Sequence, residues 1–216
     1  MIEIIKLGCT LALTCALAGG VLAFANVKTA APIEKAAGKK MEENLCRVLP
    51  PFQNSPGKEK QSFDGVVFYP ARDAQGTLLA VAAEGATMSG FGGLLKVLVS
   101  LDPASGKILA VIVTSHKETP GLGTKAVDRK SVRSLWHPSV DPAAGSLPPN
   151  ECLDRFTDRL IADTGDPAFH VVKSASEVNK HSVQAISGAT VSSSAVADAV
   201  KHVCAVYEKN RSALSK

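Results

Sequence analysis

Ser187-Gly188-Ala189-Thr190-Val191-Ser192-Ser193 crowds hydroxyls and small residues together just before a segment of helical periodicity. Small residues permit a tight turn and close approach by a ligand. A helix start exposes unpaired N–H groups and the positive end of its dipole, which suits a phosphate. Two readings are open from the residues alone. The stretch is a phosphate-binding or modified turn, or it is a plain turn with a helix cap. A second candidate is His116-Lys117-Glu118-Thr119-Pro120-Gly121-Leu122-Gly123. Its proline and glycines make a shaped loop, in which Glu118, Thr119 and backbone amides are placed to orient a polar ring. A third is Gly90-Phe91-Gly92-Gly93, which suits a bulge or a close backbone approach. It does not match the dinucleotide fingerprint GxGxxG.

The elements that must position these residues follow from periodicity. Val66 to Tyr69 and Leu78 to Ala83 read as strands around an Asp73–Gly76 turn. Leu94 to Leu101 and Ile108 to Thr114 read as an antiparallel hairpin, with Pro103 and Gly106 in its turn. Ser139 to Asn150 is a loop, Asp154 to Ala162 a short helix, and Phe169 to Val172 another short strand. From Ala195 to Lys209, Val196, Val200, Val203, Cys204 and Tyr207 recur at helical spacing and define one buried stripe. Serines 192–194 are suitable caps for that helix.

The front of the chain is different. Leu7 to Val27 is a run of 21 residues without a charge, long enough to cross a hydrocarbon core at about 20 residues per crossing. We expect a retained anchor. The rival is a cleaved signal peptide with Ala23-Phe24-Ala25 as its small-x-small site. Ala30 to Lys60 is polar and basic with four prolines, and reads as a stalk that is helical over about Ile33 to Val48. The expected division is an anchor over 1–28, a stalk over 29–62 and one domain over 63–216. Lys6 precedes the span, whereas Lys28, Lys35, Lys39 and Lys40 follow it. Charge alone therefore favours a cytoplasmic domain, although long domains translocate largely regardless of charge.

Composition bounds the rest. The 216 residues are 45% hydrophobic and 20% charged, which excludes a disordered chain. A net charge of +4, evenly spread, gives no footprint for nucleic acid. Five cysteines without a CxxC spacing exclude a zinc ribbon, a thioredoxin-type pair and an attached c-type haem by the usual signatures, and no metal site is expected. Cys9 and Cys15 lie in the apolar run, and Cys204 lies on the helix stripe. Cys46 and Cys152 are candidates to pair in an oxidising compartment.

Taken in order, the apolar span, Gly90 to Gly93, His116 to Gly123 and Ser187 to Thr190 before a helix resemble the G-subunit family of the Rnf electron-transport complex. They are similar, more distantly, to the C subunit of the sodium-pumping NADH:quinone reductase. The resemblance covers nearly the whole chain and is most specific over 90–123 and 183–200. It implies an α+β fold: one N-terminal transmembrane helix, then a single FMN-binding domain of antiparallel strands packed with helices. It implies that FMN is esterified through its phosphate to Thr190, a link made from FAD by a flavin transferase. The other implied FMN contacts are Ser187, Gly188, Ala189, Ser192, Ser193, His116, Glu118, Thr119, Gly121, Leu122 and Gly123.

The implied role is electron transfer within a membrane complex that joins ferredoxin and NAD and moves an ion, with other membrane subunits as partners. The implied setting is the inner membrane, with the domain on the extracytoplasmic side, against the charge reading. A stand-alone membrane-anchored covalent flavoprotein is the alternative. Where the family often has an acidic residue, six positions before the modified threonine, this chain has Gln184. Gly85-Ala86-Thr87 repeats the tripeptide but has no helix to follow it. Lys125 is either a charge that favours an anionic reduced flavin or a solvated lysine. His181 is read as a surface residue, and His137, His170 and His202 as structural.

Overall fold

The computed structural model describes residues 1–129 and 147–214. The chain forms two units, Met1–Glu43 and Asn44–Lys216. The first is helical from Ile2, as most of α1 (Ile2–Val48). Its most apolar window has a mean hydropathy of 2.0 and no buried residues, so α1 is long and apolar enough to cross a membrane. The expected span and the expected helix 33–48 are one continuous element. Pro32 lies inside it and removes one backbone donor without ending the helix.

The second unit is built on a five-stranded antiparallel meander in the order β1-β2-β3-β4-β5. The strands are β1 (Gln61–Phe63), β2 (Val66–Arg72), β3 (Leu78–Gly90), β4 (Gly93–Asp102) and β5 (Lys107–Ser115). The expected strands all appear, and β3 runs seven residues beyond Ala83 to Gly90. Strand β1 is an addition to them. Its hairpin with β2 turns on Asp64 and Gly65, both at positive φ (47° and 80°), the geometry for which an Asp-Gly pair is favoured. Asp102 closes the β4–β5 turn by accepting from the Ala104 amide at 2.8 Å and the Ser105 hydroxyl at 2.6 Å. The Ser105 hydroxyl holds the Asp102 carboxyl below its usual range, against a small opposing effect of burial.

Helix α4 (Thr190–Leu214) lies across β3 and β4. Its stripe of Val196, Val200, Val203, Cys204 and Tyr207 is buried with Phe68, Val81, Ala83, Leu95, Val97 and Val99 of the sheet. Gly85 lies mid-strand beneath it, where an added Cβ would run into Val203 Cγ2. The glycine lets the helix sit directly on β3, and Gly85-Ala86-Thr87 is paired with Val97, Lys96 and Leu95 of β4, a strand rather than a ligand turn.

The opposite face of the sheet carries a row of partners, Tyr69, Ala82, Ser100 and Ala110, from β2 to β5. The segment after α1 runs along this side. The Gln53 amide donates to Arg72 O at 3.0 Å, and Asn54 both donates to Pro70 O and accepts from the Arg72 amide. Leu45, Val48 and Leu49 are buried.

Between β5 and α4 the chain forms α2 (Thr124–Val127), a 3-10 turn at Leu153–Phe156, α3 (Ile161–Gly165), and a short parallel pair, β6 (His170–Val172) with β7 (Ser182–Gln184). The helix expected over 154–162 is thus two short pieces. Arg159 reaches across to the carbonyls of Asn179, Lys180 and Ser182. It holds the β7 segment that leads into the candidate turn.

Candidate functional site

Helix α4 starts earlier than its serines suggest. The Ser193 amide donates to Ala189 O at 2.8 Å, and Ala189 itself turns back through its amide to Ile186 O at 2.9 Å. Ala189 therefore holds the cap position, and alanine has no side-chain acceptor to offer the first turn. Two of the three serines expected as caps are engaged elsewhere. Ser193 Oγ accepts from the Ile186 amide at 3.0 Å. Ser192 Oγ donates to Glu118 Oε2 at 2.6 Å in the interior. The donors that a helix start leaves open belong here to Thr190 and its neighbours.

Thr190 is the first residue of α4 and is half-buried. It lines a cleft of about 570 Å³ with Ser187, Gly188, Lys125, Arg155 and Lys173. Gly188 turns the chain there at φ +78°. Arg155 is anchored to Gln184 O at 2.5 Å and to Glu151 at 2.6 Å, and Glu151 lines the cleft too, so one wall is a fixed Arg155–Glu151 ion pair. Lys125 and Lys173 are exposed and add two more charges. A hydroxyl at a helix start, a glycine turn and three basic side chains, one of them paired with Glu151, are a set with net positive charge that fits a phosphate ester. Lys125 is a candidate from sequence; Arg155 and Lys173 are not. Their only sequence signal is a basic residue type, which does not locate a side chain.

The loop His116–Gly123 packs beside this helix start. Glu118 is buried, 6% exposed. Besides the Ser192 hydroxyl, its carboxylate accepts from the Gly92 amide at 3.3 Å. Gly92 is bare because an added Cβ would strike Lys117 O. Glu118 thus joins all three of the sequence's candidate motifs. Its role is a tie between backbone segments, and both carboxylate oxygens are engaged by the protein.

His116 is engaged on both ring nitrogens. Nε2 meets Asp128 Oδ1 at 2.8 Å, and Nδ1 accepts from the Glu118 amide at 3.3 Å. The rest of the loop is closed by the Leu122 and Thr124 amides on Thr119 O, and by the Gly121 amide on Thr124 Oγ1 at 2.9 Å. Leu122 is 54% exposed, and Gly123 is buried.

Asn150, which carries no signal in the sequence, holds α2 in place. Its Nδ2 donates to Lys125 O and Asp128 O, and its Oδ1 accepts from the Cys152 and Leu153 amides. Cys152 is buried and Cys46 exposed, and all five cysteines are free. Burial pushes the Cys152 thiol up to about 11, against a lowering hydrogen bond with Ser193. His170 and His202 are exposed, and His181 is half-buried with Nδ1 3.4 Å from Asp163 O. His137 and residues 139–146 of the expected loop lie outside the described residues.

Residues 90–205 match the FMN-binding domain family. The chain is 30% identical over 204 residues to the G subunit of the ion-translocating oxidoreductase complex of Photorhabdus laumondii, covering 90% of this chain and 85% of that one. It is also 30% identical over 191 residues to the G subunit of the proton-translocating ferredoxin:NAD(+) oxidoreductase complex of Clostridium ljungdahlii, covering 88% and 84%. Among solved structures it is similar to Shewanella oneidensis NqrC, with 23% identity, a TM-score of 0.48 and coverage of 69% and 60%. On the strength of the matched domain and of relatives aligned along most of their length, the chain belongs to the FMN-binding domain family and, within it, to the G subunits of ion-translocating oxidoreductase complexes.

Proposed function

We propose that this chain is the FMN-carrying electron-transfer subunit of a membrane-bound, ion-translocating oxidoreductase complex of the Rnf type. The cofactor is esterified through its phosphate to Thr190 Oγ1. The observation that carries this reading is the position of Thr190: first residue of α4, facing a cleft lined by Lys125, Arg155 and Lys173. FMN passes on electrons one or two at a time, and the protein supplies binding, orientation and electrostatics.

Each part of the chain then has a task. Thr190 provides the oxygen of the phosphoester. Gly188 lets the phosphate approach the backbone, and the open amides of the first α4 turn face its negative charge. Ser187 stands on the rim of the same cleft. Leu122 offers an exposed apolar side chain, and Gly121 and Gly123 a close-lying backbone, for the ring system. Ala189, Ser192 and Ser193 act from behind by holding the turn. His116, Glu118 and Thr119 set the loop. A flavin transferase makes the link, so Thr190 needs no neighbouring base. Helix α1 anchors the protein in the inner membrane, the domain lies on its extracytoplasmic side, and the other subunits of the complex are its partners.

Denaturing electrophoresis of the full chain, matured with the transferase, tests the attachment. A fluorescent band that is lost in Thr190→Ala and kept in Thr87→Ala supports it. A band that survives Thr190→Ala, or no band in the parent, overturns it.

A further inference from the structure

Three glycines surround one carboxylate. An added Cβ on Gly123 would run into Glu118 Oε2, and would come within 2.6 Å of Ser192 Oγ. An added Cβ on Gly90 would lie 2.8 Å from Glu118 Oε1. The third, Gly92, donates its amide to the same Oε1. The Glu118 carboxylate therefore fills the space that a side chain on Gly123 would need and, with the Gly93 carbonyl at 2.6 Å, shares in closing the space beside Gly90. With Ser192 Oγ held at 2.6 Å, it fixes the height of the loop above the first turn of α4.

Two of the three joined segments also reach the edge of the site. Ser192 is two residues after Thr190, and Lys125, two residues after Gly123, lines the cleft with Thr190. Displacement of the loop relative to α4 would move backbone amides and one lysine relative to whatever Thr190 carries. A buried carboxylate costs several kcal/mol unless it is well paired. Here it accepts from two neutral donors and lies against a side chain of the first turn of α4, an arrangement that holds three separate backbone segments at once.

We propose that Glu118 is a positioning residue of the flavin site. It does not touch the flavin. It clamps the His116–Gly123 loop and the β3–β4 turn to the start of α4, and so sets the surroundings, solvent access and midpoint potential of the flavin on Thr190. The proposal rests on the reading of Thr190 given above.

The test uses full-length protein matured with flavin transferase, as Glu118→Ala, Glu118→Gln, Gly123→Ala and the double variant Glu118→Ala/Gly123→Ala. Mass spectrometry first establishes that each carries flavin at Thr190. Iodide quenching of flavin fluorescence and the midpoint potential are then measured, with thermal unfolding alongside. In Glu118→Ala and in Gly123→Ala, quenching should rise and the potential shift in the same direction. The double variant should show less than the sum of the two single effects, because the clash with Glu118 Oε2 is gone while the close contacts to Ser192 Oγ at 2.6 Å and Glu118 Cβ at 3.0 Å remain. Glu118→Gln keeps an acceptor for Ser192 but cannot also serve Gly92 equally well, and should fall between.

Unchanged quenching and potential in flavin-bearing Glu118→Ala overturn the proposal, as does simple addition of the two single effects. Should Glu118→Ala fail to accumulate, Ser192→Ala and Glu118→Gln are judged by the same criteria. If the parent carries no flavin at Thr190, the reading of Thr190 has failed. The clamp is then decided by the unfolding cycle alone, where additivity removes it.

Discussion

The Ser192 hydroxyl donates to the Glu118 carboxylate at 2.6 Å, across 74 positions of sequence and inside the protein. This bond joins the loop after β5 to the first turn of α4, and the amide of Gly92 completes the joint. Ser192→Ala removes the donor and leaves a buried carboxylate oxygen unpaired. We expect a loss of about 1.5–3 kcal/mol, the range for hydrogen bonds to charged groups. Chemical denaturation of the second unit, within the full chain, checks it. A loss below about 0.5 kcal/mol, the low end for an ordinary hydrogen bond, would mean the bond is not held in solution.

Helix α4 rests on β3 at Gly85. Gly85→Ala introduces a Cβ against Val203 Cγ2, and overpacking of this kind costs about 1–3 kcal/mol. Val203→Ala makes room, so the pair should be less destabilised than the sum of the singles. Thermal unfolding of the two singles and the double reads the coupling, and strict additivity would show that the helix adjusts freely.

The buried thiols give a pH dependence. Burial raises Cys152 from 9.0 to about 11 and pushes Cys204 up further. A raised folded pKa favours the protonated form, so this stability is fully present below the unfolded thiol value. It is lost as pH rises from about 9 through 11. Burial also raises Tyr69 and Tyr207, which adds loss in the same direction above their usual value. Stability should therefore fall on titration from about pH 8.5 to about pH 11. Maleimide at about pH 8, just below the ordinary thiol value, should label Cys46 and spare Cys152 and Cys204 until the domain unfolds. Rapid native labelling of Cys152 would contradict its placement.

The cleft cations set the sign of an electrostatic effect. Lys125 and Lys173 line the cleft with Thr190 and are exposed. Their replacement by glutamate should lower the midpoint potential of the attached flavin, because reduction adds negative charge beside a less positive wall. High salt should shrink the difference. Spectroelectrochemistry of Lys125→Glu/Lys173→Glu checks it, and an unchanged or raised potential would place the ring away from these charges.

What is legible in the sequence depends on the range of the interaction. The meander can be read because its strands are apolar runs separated by Asp, Pro and Gly turns, as at Asp102–Gly106. Strand β1 escapes because three residues carry no periodicity, although Asp64-Gly65 marks its turn. The stripe of α4 follows from its spacing, but the helix begins before the residues that resemble caps. Serines 192–194 have the right type, while in the structure Ser192 and Ser193 are taken up by Glu118 and Ile186, and Ala189 holds the cap position. The close approach at Gly90–Gly93 can be inferred from glycine type, but not its partner. Glu118, Arg155 and Lys173 act through contacts far apart in sequence, and a single sequence gives no sign of such pairing.

The decisive measurement is mass spectrometry of the Thr190 peptide, from full-length protein matured in its host membrane. We predict a peptide heavier by one FMN less the water lost on ester formation, and an unmodified peptide in Thr190→Ala. Intact, colourless protein with an unmodified Thr190 peptide would contradict the covalent assignment.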